Sequence, residues 1–135
     1  MSETTEVPRS IVRSQTRQRC QIDCTRVGEP ERRRTVFRVT VTNCSDTAVQ
    51  RWALSFTLPA GTHAYGDGTE FDITPDRSTA DSRPELFEVE CLGNAYTCAA
   101  TWDLAPGAQA AILVTVHAPK GDTRSSAPQG LSILS

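Results

Sequence analysis

TVFRVTVTN (residues 35–43) alternates without a break: Phe37, Val39 and Val41 hold one parity, and Arg38, Thr40 and Thr42 hold the other. Successive side chains of an extended strand point to opposite faces, so this run buries one face and wets the other. WALSFTLPAG (52–61) repeats the pattern, in a strand expected over residues 49–58. Trp52, Leu54, Phe56 and Leu58 alternate with small polar or alanine positions and stop at Pro59-Ala-Gly61. FEVEC (87–91), CAATWDL (98–104) and AAILVTV (110–116) follow with the same period, separated by Gly/Pro/Asn turn residues. Short alternating runs with such punctuation, and no stretch of helical period, predict an all-β sandwich of about seven antiparallel strands. Its expected core is Phe37, Val39, Val41, Trp52, Leu54, Phe56, Trp102, Ile112 and Val114.

The rest of the chain is arranged around that stretch. A length of 135 residues with 38% hydrophobic content suits one domain with one core. The formal net charge is only -2, but it is unevenly spread. Residues 1–38 carry nine arginines against five acids, whereas residues 39–135 carry five basic residues against eleven acids. Residues 1–17 read as a basic polar arm with Arg9, Arg13 and Arg17, continued by Arg19. They hold too little apolar surface to offset the entropy of ordering. The sandwich is expected over 18–119, with a first strand around Cys20, Ile22 and Cys24, and residues 120–135 form a C-terminal tail. No run approaches the roughly 20 apolar residues of a membrane span. The first thirty residues lack the apolar core of a secretory signal, which favours a protein made and used without export.

Five cysteines make an odd number. Cys91 and Cys98 flank the turn-like link Leu92-Gly-Asn-Ala-Tyr-Thr97 and share one inward face. A hairpin that sets them opposite each other allows a Cys91–Cys98 disulfide, which is the expectation. Cys20 and Cys24 lie too far apart along one strand to bond each other, and one of them has Cys44 as its available partner.

Chemistry is sparse. His63 and His117 are isolated in the sequence, His117 on the solvated parity, and no G-x-S-x-G elbow is present, so no catalytic residue is assigned. Asp67, Glu70 and Asp72 surround a glycine turn, but their spacing does not match the twelve-residue calcium loop, and Cys20/Cys24 lack a second ligand pair. No metal and no cofactor are expected. The phase of Trp52 and Trp102 puts both in the core, which leaves Tyr65, Phe71 and Tyr96, in or near turns, as the aromatic side chains available to stack on a sugar.

In order, VTVTN (39–43), WALSFTLPAG (52–61), Cys91…Cys98, LAPG (104–107) and ILVTV (112–116) resemble the Ig-like repeat domains of bacterial surface proteins over residues 35–119. The Trp52–Gly61 segment is also similar to cellulose-binding modules of the second family, without their exposed tryptophan triplet. The resemblance implies an Ig-like sandwich without catalysis. Combined with the arm, it gives the expectation of an accessory module that docks on a larger protein assembly, such as a phage capsid or tail, through Arg9, Arg13, Arg17 and Arg19. The setting would then be a virion. The alternatives are a cell-surface Ig-like interaction module and a carbohydrate-binding module, each extracellular or on the cell surface. Homo-oligomers are compatible with either; no nucleic-acid partner and no membrane span are expected.

Overall fold

The fold comes from a computed structural model in which residues 20–65, 70–76, 87–100, 102–119, 121–122 and 126–134 are described. Eight strands follow in order: β1 (Cys20–Val27), β2 (Arg34–Asn43), β3 (Ala53–Thr57), β4 (Ile73–Pro75), β5 (Phe87–Leu92), β6 (Ala95–Ala100), β7 (Gln109–His117) and β8 (Gln129–Leu134). They form two antiparallel four-stranded sheets, ordered β1-β2-β7-β4 and β5-β6-β3-β8. The chain is an all-β sandwich. The arm residues 1–17 and Arg19 lie outside the described residues.

Alternation is what builds the layers. On β2, Phe37, Val39 and Val41 are buried while the intervening residues are partly exposed. β2 pairs with β7 so that Phe37 meets Val114 and Val39 meets Ile112. On the other sheet Leu54, Phe56, Tyr96 and Cys98 face inward, with Leu54 opposite Cys98 and Phe56 opposite Tyr96. The Phe56 and Tyr96 rings stack at 5.4 Å and 9°. Burying each large side chain of this kind contributes about 1.5–3 kcal/mol, and the shared face makes a one-residue register slip costly.

Four features depart from the sequence reading. First, the tail contributes a strand. β8 pairs with β3, and its Leu131 and Ile133 pack against the core. Two inward apolar residues are too short a pattern to declare a strand until β3 offers its edge. Second, the long run expected over 49–58 is broken. Val49 bridges Leu104, Arg51 takes a left-handed φ of 50°, and the regular strand starts only at Ala53. Third, the β5–β6 link is two residues long, not six. Gly93 has φ 66° at the first central position, as a two-residue II′ hairpin favours, and the register runs Leu92↔Ala95, Cys91↔Tyr96, Val89↔Cys98. Cys91 and Cys98 therefore share a face but stand diagonally, roughly 7–8 Å apart at Cα, beyond the usual disulfide range. No disulfide joins them: both are free thiols, as are Cys20, Cys24 and the exposed Cys44. Fourth, Trp102 is only partly buried. It packs edge-on against the buried Trp52 because the chain leaves β6 after Ala100.

At one end of the sandwich, Asn43 ties the β2–β3 and β6–β7 loops together. Its Nδ2 donates to the Thr47 and Leu104 carbonyls, each at 2.8 Å, and its Oδ1 accepts from the Ser45 amide at 2.9 Å. A buried amide with both ends satisfied fixes the loops far better than a solvated one.

Candidate functional site: a ring column at the far end

After β3 the chain turns at Pro59-Ala-Gly61. Gly61 adopts φ 83°, and Thr62 closes the turn by donating from its amide and its hydroxyl to the Pro59 carbonyl. This aims the next residues across the end of the other sheet. His63 and His117 exchange two backbone hydrogen bonds, His63 N–H to His117 O at 2.9 Å and the reverse at 2.7 Å. Two positions later Tyr65 forms a bridge with Phe71.

The result is a column of rings. Tyr65 stacks on His63 at 4.1 Å and 22°, and His63 stacks on His117 at 5.7 Å and 20°. His117 Nε2 lies 2.8 Å from Asp72 Oδ2. An ionised carboxylate only accepts, so the imidazole donates there. The solvated position that the parity of His117 predicts is thus corrected: it is partly covered by its ring and carboxylate neighbours. Asp72 is held in turn by the Thr115 amide donating to its carbonyl and by its own amide donating to the Ala64 carbonyl. His63 Nδ1 is buried with no hydrogen-bond partner among the described residues. Tyr65 and Phe71 are the outermost rings, 36% and 38% exposed.

The column is rooted in the core. Tyr96, 1% exposed, extends its hydroxyl to accept from the Ala64 amide at 2.9 Å, and Phe71 meets the same ring edge-on at 6.3 Å and 81°. Burial pushes the Tyr96 phenol up to about 12. Cross-strand pairing sets Arg34 beside His117 on the outer face, where it forms an exposed ion pair with Glu31. A flat exposed ring beside a carboxylate acceptor suits a polyhydroxylated ring whose apolar face stacks and whose hydroxyls donate. Among the described residues no group of three metal-ligating side chains forms.

Sequence reasoning singled out Tyr65, Phe71 and Tyr96 one by one, but Tyr96 is a buried β6 residue stacked on Phe56 and not open to a sugar, and His63, His117 and Asp72 were left apart. Nothing in their spacing announces that a bridge between residues 63 and 117 brings the rings together. Of the expected core set, Phe37, Val39, Val41, Trp52, Leu54, Phe56, Ile112 and Val114 are buried.

No protein-family model matches the chain, and no curated protein does. Among solved structures, it is similar to the chitin-binding domain of Chi18aC from Streptomyces coelicolor, with a TM-score of 0.54 and 16% identity over 84% of this chain and 89% of that domain. It is also similar to part of a GH20 exo-β-N-acetylglucosaminidase from Vibrio harveyi, solved with N-acetylglucosamine, with a TM-score of 0.53 and 14% identity. That match covers 73% of this chain but only 13% of the enzyme's length. At these identities the likeness is one of fold. What they share is the two-sheet β-sandwich, and no family model shows the Ig-like surface repeat that residues 35–119 resemble.

Proposed function

We propose that this chain is a non-catalytic carbohydrate-binding module that seats a polysaccharide on the exposed face of Tyr65, with Phe71 beside it and Asp72 accepting from ring hydroxyls. The observation that carries this reading is the column Tyr65–His63–His117–Asp72. Its rings are held in place by backbone bridges before any ligand arrives, so little side-chain ordering is needed on binding. The fold likeness to a chitin-binding domain supports the same ligand class, with polymers of N-acetylglucosamine as the first candidates. A polysaccharide ligand favours an extracellular or cell-surface setting over a virion.

The test is retention on insoluble chitin and cellulose. Wild type should sediment with at least one of them. Tyr65→Ala should lose most of that retention with an unchanged melting temperature, because an exposed ring contributes little to the core. A fully retained Tyr65→Ala, or a wild type that ignores all insoluble polysaccharides, overturns the reading. Docking on a larger assembly through the basic arm is the second reading. It is supported by the charge split of the sequence, and deletion of residues 1–17 should then abolish co-sedimentation with that assembly while chitin retention stays intact.

A further inference from the structure

β3 runs from Ala53 toward the turn that launches the ring column, so its start lies at the opposite end of the sandwich. There a cleft of about 250 Å³ is lined by Arg51, Trp52, Ala53, Ala99, Ala100 and Asp103. Ala53 and Ala99, paired on the outward face of β3 and β6, leave its floor shallow and apolar. Arg51 and Asp103 are both exposed, and neither has a hydrogen-bond or ion-pair partner among the described residues. Opposite charges that line one cleft without neutralising each other remain available to a third party. Arg51 is also the one non-glycine among the described residues in the left-handed region, at φ 50°. That conformation costs free energy for an L-residue with a Cβ, and such outliers concentrate at ligand sites.

We propose that this cleft is a second carbohydrate-binding site, selective for an acidic sugar unit, a uronic acid, whose carboxylate is held by Arg51 and whose hydroxyls donate to Asp103. The inference rests on the reading of the chain as a carbohydrate-binding module. The guanidinium fork matches a planar carboxylate with two parallel hydrogen bonds. Asp103 accepts only, so it takes hydroxyls and turns the sugar's own carboxylate toward Arg51. The apolar floor of Ala53 and Ala99 receives the C–H face of the ring. A volume below the roughly 300–1,000 Å³ of drug-sized sites fits a single sugar unit rather than a chain segment. With the ring column at the far end, one module would then hold a polysaccharide at one end and an acidic unit at the other.

The test uses the two tryptophans of the chain, Trp52 and Trp102, which both sit at this end. Sodium glucuronate is titrated into the full chain at constant ionic strength, with glucose as the neutral comparison, and indole emission is read. A saturable change near the millimolar range is expected for glucuronate. Arg51→Gly should weaken it about tenfold or more. Glycine adopts the same backbone region, so the melting temperature of this variant should not fall. Tyr65→Ala should respond like wild type. An equal response to glucose, or a glucuronate response untouched by Arg51→Gly, overturns the proposal. So does silence toward glucuronate from a protein that still sediments with chitin, and that result leaves the ring-column reading standing. Glucuronate binding by a protein that ignores every insoluble polysaccharide has the reverse meaning: the cleft stands and the column reading fails.

Discussion

The hydroxyl of Tyr96 accepts a hydrogen bond from the backbone amide of Ala64 at 2.9 Å, and this joins the centre of one sheet to the segment that carries the ring column. Both residues are buried, at 1% and 0% exposure. The same Tyr96 ring stacks on Phe56 and receives Phe71 at its edge. One core side chain therefore holds the positions of His63 and Tyr65, which flank Ala64, and of Phe71.

Tyr96→Phe should keep the stack and lose the acceptor. The Ala64 amide would be left buried and unpaired, which costs about 1–3 kcal/mol. The urea midpoint should fall with an unchanged slope, and polysaccharide retention should weaken along with it. A variant as stable as wild type would show that the Ala64 amide finds water or another partner, and that Tyr96 does not hold the loop.

Stability should decline in alkali. Burial pushes both the Tyr96 phenol and the Cys98 thiol up to about 12, above their ordinary values near 10 and 9. The folded protein therefore keeps protons that the unfolded chain releases. The stabilisation is complete below about pH 9 and is lost as pH rises from there toward about 12. Each pH unit over which only the unfolded chain has lost a proton costs the fold about 1.4 kcal/mol per group. Urea midpoints measured from pH 8 to 11.5 should drop, and Tyr96→Phe should flatten the part above pH 10. A flat profile in wild type would contradict the burial of both groups.

The five thiols should alkylate in an order set by exposure. Cys44, exposed beside Gln21, should react first. Cys98, fully buried with its thiol pushed up by burial, should react only as fast as the protein opens. Intact mass before and after reduction should be identical. A two-hydrogen difference that maps to Cys91 and Cys98 would mean that the β5–β6 register is wrong.

Trp52 and Trp102 should separate on substitution. Trp52 is 1% exposed, and its Nε1–H donates to the Trp102 carbonyl at 3.1 Å. Trp52→Ala should cost about 3–5 kcal/mol, the figure for large-to-small core changes. Trp102 meets it edge-on at 5.6 Å and 79° from a partly exposed site, so Trp102→Ala should cost about 2 kcal/mol or less. In Trp102→Phe the remaining emission should be blue-shifted and resist iodide. Equal losses from the two alanine variants would place both rings in the same environment.

The sequence alone determines the layers. Phe37, Val39 and Val41, Leu54 and Phe56, and Ile112 and Val114 alternate with polar neighbours, and a period of two assigns each to an inner face whatever its partner strand is. Of the aromatic residues it leaves near turns, Tyr65 and Phe71 are exposed but Tyr96 is buried, and of the two tryptophans it assigns to the core only Trp52 is fully buried. Only the tertiary structure decided what depends on register and on long-range pairing. Gly93 makes the β5–β6 turn two residues long, and that one choice carries Cys91 past Cys98 to Tyr96 and leaves both thiols unpaired. Leu131 and Ile133 become strand residues only because β3 has a free edge for them. His63 and His117, fifty-four positions apart, become stacked rings because backbone hydrogen bonds close between two chain segments that meet only when the sandwich is assembled. Periodicity is a local property written in each strand, whereas a binding site at the end of a sandwich is made of loops whose meeting point is set by the packing of the two sheets.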